Sequence, residues 1–356
     1  MKTDTLARTA PGATHGPDIP GFGMRAPTRA ELEARMPLAQ AMSAIVSATN
    51  AADGVDEVTP PEELVNWFTH PGPHFDAAHD LVLAEVDGLL VAYLYLQWVD
   101  TTDKLREFRM GGFVHPEWQR HGIGHALVNW AEERAMVRLT EVPTDRPVVI
   151  GSFADERRTA KISLLERLGY QPARWFFEML RPSLDEIDVP PLPDGLEIRP
   201  LTSAREEVRR LFDADVEAFQ DHWGGFAADD AAFEEWLTEP NFDPSLYVVA
   251  WDGDEIAGAV ENTIYASDNA TFGRKRGWLD GVFTRRPWRR RGLGAALVAR
   301  SLVVLRERGM TEAMLGVDSD NPSGALGLYK RAGFVEHQRS VALRKPLALE
   351  GTTVEH

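Results

Sequence analysis

Two glycine-rich loops constrain this chain more than any other feature, because each stands in the same strand–loop–helix setting. The first is Gln119-Arg120-His121-Gly122-Ile123-Gly124, after apolar Gly112-Phe113-Val114 and before Ala126-Leu127-Val128-Asn129-Trp130. The second is Arg289-Arg290-Arg291-Gly292-Leu293-Gly294, after Gly281-Val282-Phe283-Thr284 and before Ala296-Leu297-Val298-Ala299. The approaches match as well, His115-Pro116-Glu117-Trp118 in one copy and Arg286-Pro287-Trp288 in the other. From Gly122 to Gly292 the offset is 170 positions. A chain that repeats a strand, a turn and a helix in this way reads as one module used twice.

The turn has a direct physical use. The start of a helix leaves about four backbone N–H groups without partners, and the macrodipole adds roughly half a positive charge there. Glycine lets the backbone approach an anion closely and adopt positive φ. A diphosphate suits such a site. In the second copy the N–H groups belong to Gly292, Leu293, Gly294 and Ala295, and Arg289, Arg290 and Arg291 can add charge-assisted bonds. In the first they belong to Gly122, Ile123 and Gly124, with Gln119, Arg120 and His121 beside them.

Neither loop ends in the Gly-Lys-Ser/Thr of a nucleoside triphosphatase. A dinucleotide fingerprint needs a third glycine three residues after the second, where this chain has Leu127 and Leu297. The pattern, strand, then Gln or Arg-x-x-Gly-x-Gly, then helix, instead resembles the acetyl-CoA loop of the GNAT superfamily of N-acetyltransferases. The resemblance covers about residues 20–182 and 195–348. It implies a mixed α/β (α+β) sheet in two tandem GNAT folds, with acetyl-CoA as co-substrate. Phe113 and Val114 in the first copy, and Val282, Phe283 and Thr284 in the second, would lie along the cofactor's arm. Backbone N–H on the Val282-Phe283-Thr284 strand would polarise the acetyl carbonyl.

Punctuation along the chain gives the same division. Residues 1–20 are rich in Gly, Pro and Thr and are expected to be a flexible N-terminus. Residues 21–182 form the expected first module, 183–195 a proline-rich linker, and 196–348 the second module. Within the modules we expect hairpins at Asp87-Gly88 and Asp252-Gly253, and a helix from Arg29 to Thr49. Trp175 to Leu180 is expected to close the first module as a strand.

The second copy carries a further motif, Asp320-Asn321-Pro322-Ser323-Gly324-Ala325-Leu326-Gly327-Leu328-Tyr329, followed by Gly333-Phe334. The resemblance implies that Tyr329 protonates the departing CoA thiolate and that Asn321 bonds the CoA arm. The bland alternatives are a core tyrosine on an amphipathic helix, and a helix N-cap ahead of Pro322. In the first copy Leu165 stands where Tyr329 stands and Arg157 where Asn321 stands, counted back from Gly169 and Gly333. Leucine cannot transfer a proton. The first copy therefore reads as CoA-binding but catalytically degenerate, and the second as catalytic.

The base is less legible. An acceptor amine of pKa about 10.4 needs roughly 4.6 kcal/mol to lose its proton at pH 7. Many family members place a glutamate about eleven residues before the motif Arg or Gln. Here that position is Trp278. Asp280, two residues on and so on the same strand face, and Glu261, on the preceding strand, are the alternatives. Each could equally be a structural hydrogen-bonder. Phe219-Gln220-Asp221-His222-Trp223-Gly224-Gly225 reads as an acceptor rim, with His222 and Trp223 as substrate-binding candidates, or as a capping loop.

Composition sets outer bounds. The 356 residues carry a net charge of −17 and no cysteine. The charge disfavours nonspecific nucleic-acid binding and suits a cationic small molecule. Without cysteine there is no disulfide, thiolate metal site or thiol nucleophile. The histidines show no metal-ligand spacing, so no metal is expected. No apolar run is long enough for a membrane span, and a cytoplasmic location is the expectation, with an oligomer possible. The leading expectation is acetyl transfer from acetyl-CoA to a primary amine of a small molecule. A non-catalytic acyl-CoA-binding protein and a protein lysine or N-terminal acetyltransferase remain open beside it.

Overall fold

The computed structural model describes residues 17–72, 74–202, 204–220, 223–225, 230–320 and 324–347. The first half runs β1 (Phe22–Arg25), α1 (Arg29–Ala34), α2 (Met36–Asp53), α3 (Pro61–Thr69), α4 (Ala77–Asp80), β2 (Leu81–Val86), β3 (Leu89–Asp100), β4 (Arg106–Val114), α5 (Ile123–Glu141), β5 (Val148–Asp155), α6 (Thr159–Arg167) and β6 (Gln171–Arg181). The second runs β7 (Glu197–Ile198), α7 (Arg205–Phe219), α8 (Asp230–Leu237), β8 (Val248–Asp252), β9 (Glu255–Thr263), α9 (Ala266–Phe272), β10 (Arg276–Thr284), α10 (Leu293–Glu307), β11 (Glu312–Asp318), α11 (Ala325–Arg331) and β12 (Val335–Pro346). Both halves thus follow the mixed β/α order that the repeat predicts.

Local chemistry sets most of these bounds. Asp87 and Gly88 both take positive φ (50° and 80°), the two-residue turn that matches strand twist. In the second hairpin Asp252 pairs with Glu255, so the turn is Gly253-Asp254, one residue later than expected, with Gly253 at φ 58°. The helix expected from Arg29 to Thr49 is two helices. Arg35 breaks it at φ 54°, and Pro37 starts α2 where a missing N–H costs nothing. Helix α9 was not legible in the sequence.

All strands join one 12-stranded sheet in the order β1-β2-β3-β4-β5-β12-β6-β11-β10-β9-β8-β7. The two closing strands are exchanged. β6, from the first half, lies between β11 and β12, while β12, from the second half, lies between β5 and β6. Trp175 to Leu180 is a strand as expected, but it pairs with the second half and does not close its own. Period-two alternation specifies a strand's faces and leaves its partner open. Helices cover both faces of each half. α5 presents Ile123, Leu127, Trp130, Ala131 and Leu139 to one core of the first half, and α2 packs on the other. α10 and the pair α7–α8 do the same in the second. The segment between β6 and β7 is laid down, not slack. Leu184 is buried, and Arg291, Arg300 and Arg306 of the loop and α10 donate to the carbonyls of Asp194, Pro190 and Asp185.

A buried ionic triad locks the halves together. Glu107 of β4, only 2% exposed, accepts from Arg109 Nε at 2.9 Å and from Arg344 Nε of β12 at 2.6 Å. Arg109 also donates to the carbonyl of Gly224 at 2.8 Å, and the N–H of Thr102 to that of Gly225 at 2.8 Å. The loop after α7 is thereby docked onto the first half.

Candidate active site

The two glycine loops have the same backbone. Arg120 and Arg290 adopt φ of 68° and 61°, and Gly122 and Gly292 both adopt 87°. Each loop follows a short 3-10 turn, Pro116–Trp118 or Arg286–Trp288, and leads straight into α5 or α10. The first intrahelical bonds are donated by Ala126 to Gly122 at 3.1 Å and by Ala296 to Gly292 at 3.2 Å. The N–H groups ahead of them are left to a ligand. Nothing lies within 4 Å of the position a Cβ would take on Gly292. An unfilled cradle of this kind at a helix start fits a diphosphate such as that of CoA.

The motif residue ahead of the glycines has a structural role. Gln119 Nε2 donates to the carbonyl of Val114 at 3.2 Å, and Arg289 Nε to that of Thr284 at 2.9 Å. Each clips its loop to the end of the strand before it. Arg291 bonds Asp194 and does not line the cleft, so of the expected phosphate arginines only Arg289 and Arg290 face it. His121 turns back onto the carbonyl of Gln119, and Ile123 is buried in the core. The side chain of His121 is thereby held by its own loop, while Ile123, first in α5, buries its side chain and keeps its N–H at the helix start.

In both halves the parallel strand pair opens midway along the strand that leads to the loop. β4 pairs with β5 from Arg106 to Arg109 only, and β10 with β11 from Arg276 to Leu279 only. The two openings differ. In the second half Gly316 leaves the gap clear, with nothing within 4 Å of its missing side chain. In the first half Ser152 stands at the matching register position and its Oγ donates across the gap to the carbonyl of Met110 at 2.8 Å. Tyr95 covers Gly111 there, and buried Leu165 takes the place of Tyr329. The first-half cavity, about 480 Å³, is lined by Phe113, Val114, Gln119, Arg120, Gly122 and Gly124. The cleft of the second half measures about 1350 Å³. It brings together Val282, Phe283, Thr284, Gly292, Leu293, Gly294 and Ala295 with Asp280, Tyr329 and Trp223.

Asp280 owes its position to a β-bulge. The register of β10 against β9 slips between Leu279 and Gly281, so Leu279 and Val282 both pack toward α10 and Asp280 is the extra residue. Bulges re-aim side chains in this way. β4 has no such slip. Asp280 lies deep in the cleft, open to its water yet walled by protein, and accepts from Tyr265 Oη at 3.2 Å. Burial raises its pKa, while the bonds from Thr263 and Tyr265 hold it down. Trp278 packs edge-on against the same Tyr265, so the two residues do share a face.

Glu261 is the cross-strand partner of Gly281 and lies on the same face of the sheet as Asp280, buried beside it. Its Oε2 would meet a Cβ on Gly281 at 2.7 Å, and its Oε1 is buried without a partner. Burial first, then Asp215, Asp280 and Glu239, raise its pKa well above the ordinary carboxyl value. Burial likewise pushes Asp215 and Glu239 up to about 7. Of the two carboxyls, Asp280 lines the cleft and Glu261 lies buried next to it. Tyr329 is 5% exposed, its ring edge-on to Phe334 at 6.1 Å. Its hydroxyl bonds no other described residue, and burial pushes its pKa up to about 12. It is a neutral phenol at any working pH.

Asn321 and His222 lie outside the described residues. α11 begins at Ala325, with Gly324 at φ 76° as its cap, later than the helix start expected at Pro322. Trp223 does reach the cleft, under the Arg344 guanidinium at 3.7 Å and 5.9 Å from Phe176. The sequence did not point to Arg174, Phe176 or Glu178, yet all three line this cleft from β6. Their alternation declared a common face, but only the exchange of strands tells which cavity that face meets. Among the described residues no three acidic or histidine side chains gather to hold a metal ion, and no helix is long and apolar enough to cross a membrane.

Two family profiles match the chain, the acetyltransferase (GNAT) family over residues 208–334 and an acetyltransferase (GNAT) domain over 77–172. The mycothiol acetyltransferase of Geodermatophilus obscurus is 30% identical over 86% of this chain and 93% of its own length. That of Salinispora arenicola is 30% identical over 83% and 91%. Among solved structures, a GCN5-related N-acetyltransferase from Sphaerobacter thermophilus superposes with a TM-score of 0.66 at 28% identity, over 93% of this chain and 97% of that one. A tandem GNAT protein from the clavulanic acid biosynthesis pathway gives 0.66 at 17% identity, over 92% and 99%, which speaks to the fold alone.

Proposed function

The chain belongs to the GNAT family of acetyltransferases, two such folds in tandem using acetyl-CoA as co-substrate, and from that premise we propose that it acetylates a primary amine of a small molecule in the cleft of its second half. The observation that carries this reading is the meeting of three features in one cleft. They are an open glycine loop, a bulged strand presenting Asp280, and a phenol, Tyr329, with its hydroxyl unbonded.

Acetyl-CoA supplies the activated acetyl group. The N–H groups of Gly292 to Ala295 would hold its diphosphate, with Arg290 beside them. The backbone N–H groups of Val282 to Thr284 would polarise the acetyl carbonyl. Asp280, directly or through one water, takes the proton of the acceptor ammonium. The freed nitrogen bonds the acetyl carbon, the carbon–sulfur bond breaks as Tyr329 donates its proton to the sulfur, and the second proton shed by the nitrogen passes through solvent to restore the phenol. A phenol near 12 is a weaker acid than a free thiol near 8.5, so Tyr329 acts chiefly while charge gathers on sulfur. The first half has Met110, Ser152 and Leu165 where the second has Asp280, Gly316 and Tyr329. It binds CoA without turning it over.

The relatives named for mycothiol suggest an aminated thiol-sugar precursor as one acceptor. The test is release of CoA thiol from acetyl-CoA against a panel of such precursors, aminosugars, simple amines and lysine peptides. Release that depends on one small-amine class supports the reading. Release only with peptides moves the function to protein acetylation, and saturable CoA binding without release moves it to a binding role.

A further inference from the structure

β6 belongs by sequence to the first half, yet it borders the cleft of the second. Met179 faces the core under α10, so the alternate residues Arg174, Phe176 and Glu178 share the opposite face. That is also the face of Gly316 and of Asp280. Glu178 pairs directly with Gly316 of β11, and nothing stands where a side chain of Gly316 would be. The floor between Glu178 and Asp280 is therefore clear. The two residues sit on strands separated by β11, with backbones about 10 Å apart at two strand spacings.

Among the described residues neither carboxylate has a cation within ion-pair distance. Glu178 accepts a bond from the Gln338 amide, and Asp280 one from Tyr265. The arginines nearby are committed elsewhere. Arg174 grips Asp318 through two bonds of 2.7 and 2.8 Å and approaches Asp320 at 3.3 Å. Arg157 is held by Asp155 at 2.8 Å. Burial, with Glu57 and Asp155, pushes Glu178 up to about 7. A second observation lies at the other end. Glu261 is 8% exposed with its Oε1 unbonded, against the segment between Asp280 and Val282. Buried polar atoms without partners are rare and call for an explanation. A carboxyl group without a cationic partner among the described residues thus stands at each end of one cleft, and Phe176 and Trp223 flank the space with apolar rings.

We propose that the acceptor carries two cationic groups, the reacting amine held at Asp280 and the second at Glu178, so that a strand of the first half selects the substrate of the second. This rests on the reading of the cleft as an acetyl-acceptor site.

The test uses the full chain with a series of α,ω-diaminoalkanes, from ethylenediamine to the ten-carbon member, beside the 1-aminoalkanes of equal length. Thiol release gives kcat/KM for each. Longer diamines are expected to exceed their monoamines by about tenfold or more through KM, the worth of one charge-assisted bond. Glu178→Gln is expected to shrink the diamine-to-monoamine ratio by a similar factor. A ratio near one in the wild type, or an equal loss for both series in the variant, overturns the proposal. If no amine releases thiol, the reaction assigned above fails, and calorimetric binding of the eight-carbon diamine and monoamine decides this point by itself. A diamine preference that Glu178→Gln removes supports it, and no preference overturns it.

Discussion

Replacing Tyr329 by Phe removes one oxygen and little else. The ring keeps its edge-on contact with Phe334, and the hydroxyl bonds no other described residue. Folding stability should change by less than about 1 kcal/mol, because no intramolecular hydrogen bond is lost. Positioned proton donors contribute about 10²–10⁴ in rate, which is roughly 2.7–5.4 kcal/mol of barrier. The loss should appear equally in kcat and kcat/KM, since the donated proton matters only as the thiol leaves. Affinity for CoA should hold, because the glycine loop and the β10–β11 opening are untouched. The assay is thiol release read with a thiol reagent, which meets no background in a chain without cysteine. Binding is read separately by calorimetry. A Phe variant within about threefold of wild type, or one whose CoA affinity falls in step with its rate, refutes the assignment.

Asp280→Asn should lower kcat/KM by about a hundredfold or more with CoA affinity kept, and a loss under tenfold places the base elsewhere. Gly316→Ser should import the bridge that Ser152 makes in the first half and weaken acetyl-CoA binding at the second site alone, leaving one of two calorimetric sites; unaltered binding would show that the gap is not the cofactor's path. Glu107→Ala strands Arg109 and Arg344 in a buried place and should cost about 3–5 kcal/mol in denaturant unfolding; a cost under 1 would mean the triad does not lock the halves. Glu239 and Glu178 are raised to about 7 in the folded chain. Between their unfolded value near 4.5 and 7 the folded state therefore binds more protons, and stability falls as pH rises across that window. The Tm of the wild type should drop from pH 5 to pH 7.5, and Glu239→Gln should flatten part of that slope; an unchanged slope contradicts the burial of that carboxyl.

The repeated loop was legible because its chemistry is local. A glycine at positive φ, a motif residue clipping the loop to its strand and an apolar helix after it all lie within a dozen residues, so sequence alone determines them in both copies. The loss of Tyr329's counterpart to Leu165 was legible for the same reason. The base was not. Asp280 reaches the cleft because β10 slips by one residue against β9, and a slip in register leaves no mark in residue order. Glu261 reads as an equal candidate until the fold buries it beside Gly281 and leaves Asp280 to line the cleft. The Arg289–Arg291 block reads as three phosphate ligands, but only the folded backbone sends Arg291 to Asp194 and sets Arg289 to clip Thr284.

The sequence by itself determined two modules, two glycine loops and which one is followed by a tyrosine where the other has leucine, because each rests on neighbours along the chain. The tertiary structure decided that the modules trade their last strands, and so that Arg174, Phe176 and Glu178 of the first half wall the cleft of the second. Strand pairing is satisfied by any edge of matching length and register, and the nearest free edge in space belonged to the other half.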